Sequence, residues 1–130
     1  MEFKRRGSLC IPSTPITFKI KCNIHDPMYT HNQKKYLGLC LPEPFLKRVE
    51  EVHGQSQHLL TKRNQSPLSG NILKVKVPFK YNRVTCKVTG NKILQDLVKG
   101  DIVTVNLEYC GVWDVGDFCG MSWKITMIET

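Results

Sequence analysis

The segment from Lys99 to Glu129, KGDIVTVNLEYCGVWDVGDFCGMSWKITMIE, restricts the fold more than any other part of the chain. Val103, Val105, Leu107 and Tyr109 fall on one face of an extended strand while Thr104, Asn106 and Glu108 fall on the other, the period-two pattern of a half-buried strand. Trp123, Ile125 and Met127 repeat the pattern further on, with Ser122, Lys124 and Thr126 on the opposite face. Between them Trp113 and Phe118 sit among Gly111, Gly116 and Gly120, a stretch that reads as a loop. A Gly-Asp turn, a strand, a loop and a second strand predict the closing hairpin of a small β-barrel.

Upstream, Ile16, Phe18, Ile20, Cys22 and Ile24 alternate with Thr17, Lys19, Lys21 and Asn23, predicting a strand with a basic outer face that His25-Asp26-Pro27 interrupts. A polar loop holding His31, Lys34 and Lys35 precedes a second strand from Tyr36 to Leu41, which Pro42 and Pro44 end. Phe45, Leu46, Val49 and Val52 recur at helical spacing before Gly54, predicting a short amphipathic helix over 43–53. Two further strands place Leu73, Val75, Val77 and Phe79, then Val84, Cys86 and Val88, inward, with a turn at Lys80-Tyr81-Asn82. Ile93, Leu94, Leu97 and Val98 fit a helical turn or two closing one end of a barrel. A chain of 130 residues suits one core. Residues 1–15, with Lys4, Arg5, Arg6, Pro12 and Pro15, show no periodicity and read as a flexible basic arm; residues 16–130 read as a single domain, mainly β, with a mobile polar loop at 55–71.

Charge is distributed unevenly. The chain carries a net +8, but residues 1–92 hold seventeen basic and five acidic residues, whereas residues 93–130 hold two and six. A polyanionic partner met by one side of the molecule fits that asymmetry. Lys19, Lys21, Lys74, Lys76, Arg83 and Lys87 all occupy the polar phase of an alternating pattern, and would converge on one surface if their strands are neighbours. Phosphate backbones are bound in this way, through the release of counterions. Aromatic side chains supply the second ingredient, because a stacking platform accepts any base. Phe79 and Trp123 fall in phase with apolar neighbours and read as core; Tyr81, Trp113 and Phe118 are the candidate platforms.

Other chemistries find little support. Cys22, His25, His31 and Cys40 lie within nineteen residues, but they lack the two tight ligand pairs of a zinc site, so no metal and no cofactor is expected. Asp101, Asp114 and Asp117 stand in turn-like contexts beside glycine, where Asp is an ordinary turn former, and no catalytic signature motif occurs. The expectation is not an enzyme, with a metal-dependent nuclease built on those three carboxylates as the rival. No apolar run approaches the ~18 residues of a membrane span and the first residues lack the apolar stretch of a signal peptide, so a soluble intracellular protein of cytoplasm or nucleus is expected. Asn64-Gln65-Ser66 matches a glycosylation acceptor that should then stay silent.

Over Lys99 to Glu129 the sequence resembles small viral and phage OB-fold single-stranded DNA-binding proteins. Their last two barrel strands likewise start from a Lys-Gly-Asp turn, meet in a loop containing Trp and Gly, and end in an alternating strand. With Leu73 to Val88 the resemblance covers about the last sixty residues. It implies a five-stranded OB-like barrel with one or two short helices, and sequence-independent protection of single strands in replication, recombination or repair. Single-stranded DNA is then the expected partner, alongside replication proteins or further copies of the chain. The residues alone accommodate RNA equally, because no pattern here bears on the 2′-hydroxyl. They also accommodate a different class, an interaction module docking on an acidic protein.

Cys10, Cys22, Cys40, Cys86, Cys110 and Cys119 read as packing residues, since Cys22 and Cys86 alternate with apolar neighbours. At least four of the six should be free thiols; non-reducing mass spectrometry that found three disulfides would overturn this and the intracellular assignment together.

Overall fold

The computed structural model describes residues 1–130. Strands β1 (Phe3–Arg6) and β2 (Leu9–Pro12) precede the long β3 (Thr17–His31), which turns at Asn32-Gln33 into β4 (Lys34–Cys40). Helix α1 (Glu43–Ser56) and a 3-10 turn (Gln57–Leu59) follow, then β5 (Arg63–Gln65), β6 (Leu68–Ser69) and β7 (Ile72–Val77). β8 (Phe79–Lys80), β9 (Arg83–Val84) and β10 (Lys87–Thr89) lead through a second 3-10 turn (Leu94–Asp96) into the hairpin of β11 (Ile102–Val115) and β12 (Phe118–Glu129).

Five of these strands close a barrel in the order β3-β4-β7-β12-β11 and back to β3. Every seam is antiparallel except that of β7 with β12, which are parallel and meet at Lys76 and Lys124. Counted along the chain, the ring order is first, second, third, fifth, fourth. With one helix beside it, this is the OB-like barrel that the sequence predicts. The interior holds Ile20, Cys22, Ile24, Leu37, Leu39, Leu73, Val75, Val105, Leu107, Trp123 and Ile125, each 2 % exposed or less. Those of β3, β7, β11 and β12 are residues that alternation assigns inward, with one correction: the extra residue Thr126 reverses the phase at the end of β12, so Ile128 is buried and Met127, expected inward, is not. Leu94 and Leu97 are buried too, from the short turn expected to close the barrel.

Helix α1 runs past the glycine expected to stop it. Its buried positions Val49, Val52, His53 and Ser56 follow the i, i+3, i+4, i+7 stripe of a helix lying on a core. Two hydrogen bonds hold the last turn there: Trp123 Nε1 donates to His53 Nε2 at 2.9 Å, and the Tyr109 hydroxyl donates to Ser56 Oγ at 2.7 Å. Buried Trp and Tyr require partners for their polar ends, so the helix is positioned by the barrel's own aromatics. Gly54, which faces solvent, costs about 1 kcal/mol of helix propensity, less than those contacts supply.

Several segments differ from expectation. β3 is not ended by His25-Asp26-Pro27 but runs through them to His31, with register shifts against β4 on either side of Asp26, so His31, Lys34 and Lys35 are strand residues and not a loop. Residues 1–15 form the β1–β2 hairpin instead of an arm without structure, and Leu9 and Cys10 pair with Trp113 and Val112 of β11 beyond the point where β3 stops. Part of 55–71 is strand: β5 pairs with the first residues of β12, and β6 with β7. The strand expected over Val84 to Val88 is split, with β9 in a separate two-stranded hairpin with β8 and β10 pairing with the end of β12. Of these pieces β2, β5 and β10 satisfy backbone groups that the long hairpin would otherwise leave unpaired, while β6 covers β7 and β9 pairs only with β8.

Burial holds the His53 imidazole well below its usual range, at about 4, so it is neutral in the fold. The unfolded chain, with an ordinary histidine near 6.5, then binds the extra proton between these two values, and stability falls as pH drops through that window. Urea unfolding should lose up to about 3 kcal/mol between pH 7 and pH 4.5. His53→Gln, which retains an acceptor for Trp123, should flatten the dependence.

Candidate nucleic-acid interface

The outer face of β4 and β7 forms the floor of a groove of about 490 Å³ that also reaches β11 and β12. One wall is the β3–β4 turn with His31, Asn32 and Lys34; the other carries Trp113 and Val115 near the tip of the β11–β12 hairpin, with Ser8 and Leu9 of the N-terminal hairpin beside them. Asn32 and Gln33 both have positive φ, the geometry of a tight two-residue hairpin turn. Gln65, Ser66 and Pro67 edge the groove from the segment after α1.

A register shift in β11 decides what faces it. Tyr109 pairs with Trp123 and Gly111 with Ser122, leaving Cys110 as an extra residue. Simple alternation from the buried Tyr109 would carry Trp113 into the interior. The bulge reverses the phase, so Val112 is buried and Trp113, half-buried, turns toward the groove. Gly111 accommodates the kink at φ +103°, with its backbone against the Cys10 carbonyl, where a side chain has no room. Trp113 lies across Gly120: a Cβ there would meet indole atoms Cζ2 and Cε2 at 2.8 and 2.9 Å. The stretch expected as a loop is therefore strand up to Val115 and again from Phe118, with only Gly116 and Asp117 in the turn.

Tyr36 is the centre of the floor. Its ring stacks on Tyr29 at 5.7 Å, His31 lies 6.5 Å away, and the Lys74 ammonium stands 4.2 Å over its centroid. Burial keeps the Tyr36 phenol protonated and pulls Lys74 below the usual lysine range. Lys76 is pulled down as well, first by burial and then by Lys34. No carboxylate lines this groove.

Of the residues singled out in the sequence, Lys74, Lys76 and Trp113 meet here. The others do not. β3 and β7 are not neighbours in the ring, so Lys19 and Lys21 stand apart, opposite Asn106 and Thr104 of β11. Lys87 pairs with Met127, which pairs with Asn106, which pairs with Lys19; these four share one row on another part of the surface. Arg83 and Tyr81 belong to the β8–β9 hairpin, where Tyr81 is 88 % exposed at the turn. Phe118, 38 % exposed, sits at the hairpin tip outside the groove. Sequence reasoning missed Lys34 and Tyr36. The alternation of Leu37, Leu39 and Leu41 inward does place Tyr36 on the outer phase, which was the available signal.

The rival chemistries are not assembled. Asp101, hydrogen-bonded to Lys92 and the Val98 amide, and Asp114, paired with Lys62 and Arg5, lie at opposite ends of β11, so the three carboxylates cannot share one ion. Cys22 faces the core and His31 lies at the far end of the same strand, and no group of three or more His, Cys, Asp or Glu gathers at metal-binding distance. All six cysteines are free; Cys10, Cys22 and Cys119 are buried and the other three half-buried. No helix is long and apolar enough to cross a membrane. Comparison with models of known protein families, with curated proteins and with solved structures finds no match.

Gly120→Ala should push the indole off the sheet and strain the β5 pairing at the Gln65 carbonyl, 2.6 Å from the new methyl. A loss of about 1–3 kcal/mol in unfolding free energy and a change in tryptophan emission are expected.

Proposed function

We propose that the protein binds single-stranded nucleic acid, DNA in the first instance, without base specificity, and protects exposed strands in replication, recombination or repair. The observation that carries this reading is the groove itself: a half-buried indole and a tyrosine lie among Lys34, Lys74 and Lys76, on the second and third strands of an OB-like barrel, between its first-second and fourth-fifth turns. That face and those turns are where such barrels accept oligonucleotides. Trp113 offers a π-face that any base can use, Tyr36 supports the floor beneath with its buried ring stacked on Tyr29 and under Lys74, and the lysines follow the backbone as point charges. No helix is presented that would fit a duplex major groove, since α1 packs its buried stripe on the barrel. The activity we propose lies inside a cell, that of a host if the protein is viral, where a reducing compartment would keep the six cysteines as thiols. RNA is the alternative ligand, and binding to oligo-U as tight as to oligo-dT would favour it.

In a competition assay, duplex at equal nucleotide concentration should fail to displace oligo-dT. Trp113→Ala should weaken all single strands by roughly 5- to 100-fold with little change in the slope of log affinity against log salt. Lys34→Ala with Lys74→Ala should reduce that slope by about 1.4. Displacement by duplex, or unchanged binding in both variants, would refute the groove as the site.

A further inference from the structure

A second hollow of about 350 Å³ adjoins the groove, and Leu9, Lys76 and Ser122 line both. It continues beneath the N-terminal hairpin, past Ile11 and Pro12, to Lys124 and Cys110. Two features of the junction have no explanation in the free protein. Lys76 and Lys124 are direct cross-strand partners on the parallel seam, a placement in which like charges repel. Lys124 is matched by Glu108 at 3.0 Å, which also holds it protonated, but Lys76 has no carboxylate within salt-bridge distance. The cations that act on it are Lys34, Lys74 and Lys124, with the Cys110 thiol acting the other way. Secondly, the Ser122 hydroxyl is buried between the two hollows with no well-formed hydrogen bond, only the weakly accepting Cys110 thiol beside it. Buried hydroxyls are seldom left so, and the cost is comparable to a lost hydrogen bond.

We propose that Lys76, Lys124 and Ser122 form a seat for one backbone phosphate, through which a bound strand passes from the Tyr36–Trp113 groove into the hollow under the N-terminal hairpin. This rests on the single-strand reading above. A tetrahedral dianion or diester between the two ammonium groups converts their repulsion into attraction, and its oxygens accept from Ser122 Oγ more strongly than the neighbouring Cys110 sulfur can. Glu108, the one carboxylate lining the second hollow, is occupied with Lys124 from the β11 side, opposite Lys76. The Cys110 thiol, which burial pushes up, is protonated there and adds no negative charge. A half-buried lysine kept among lysines destabilises the free fold, and a phosphate removes that destabilisation.

The test uses the full chain and three variants: Lys76→Met, Ser122→Ala, and Lys47→Gln on the exposed face of α1 as a charge-matched control. Inorganic tripolyphosphate should raise the melting temperature of the parent and the control, but not of Lys76→Met, which should itself melt higher than the parent without ligand. On oligo-dT, Lys76→Met should bind roughly tenfold more weakly and lose about 0.7 from the salt slope. Ser122→Ala should weaken binding severalfold and leave the slope intact. If oligo-dT binds the parent but Lys76→Met matches the control in slope, the seat is refuted and the groove reading stands. A parent that responds to tripolyphosphate but not to oligo-dT or oligo-U keeps the seat as an anion site and refutes the nucleic-acid reading. Response to neither refutes both.

Discussion

The long hairpin of β11 and β12 sets the conditions that the rest of the chain must meet. Its strands pair with each other over almost their whole length, which leaves two outer edges of unpaired backbone groups, each covered by more than one strand. The edge of β11 is completed by β3 and then by β2. That of β12 is completed in sequence by β5, β7 and β10, all parallel to it. Bulges at Thr126 and Cys110 bend the hairpin, which allows five strands to close. The N-terminal hairpin, the segment after α1 and the strand before the second 3-10 turn thus have one structural role in common. They are cover for a hairpin too long for its own barrel.

The same bend shapes the candidate surface. The Cys110 bulge shifts the strand phase so that Trp113 leaves the interior, and Gly120 supplies the flat place on which the indole rests. The parallel seam between β7 and β12 amounts to one register position, at Lys76 and Lys124, so the sheet is open on either side of it and two hollows adjoin there. Lys62, Lys92 and Lys124 are each paired with a carboxylate, while Lys34, Lys74 and Lys76 of the groove are not. Basic residues elsewhere, Lys19, Lys21 and Lys87 among them, are also unpaired; what distinguishes the groove is that its free lysines stand beside aromatic side chains and no carboxylate.

Much of this was legible in the chain. Alternation named the interior of β3, β7, β11 and β12 almost residue by residue, because a strand with one buried face cannot slip by one residue without exposing its whole core set. It named Lys74, Lys76 and Trp113 as binding candidates for sound reasons, since polar phase and a glycine-rich setting are local properties. Lys19, Lys21, Arg83 and Lys87 satisfied the same local test and lie elsewhere, because which strands become neighbours is not a local property. Helix α1 shows the limit from the other side: Gly54 and the polar Ser56 read as an ending, yet Tyr109 and Trp123, more than fifty residues away, carry the helix another turn.

The sequence by itself therefore determined the class of fold, the identity of the core and the presence of an excess of positive charge in the first two thirds, all of which follow from side-chain period and composition. The tertiary structure alone decided where that charge meets aromatic surface. A phase reversal at one bulge, a single-residue parallel seam and the order of strands around the ring bring Lys34, Tyr36, Lys74, Lys76, Trp113, Ser122 and Lys124 together. None of these leaves a periodic trace, since each arises from backbone groups finding partners far away in the chain.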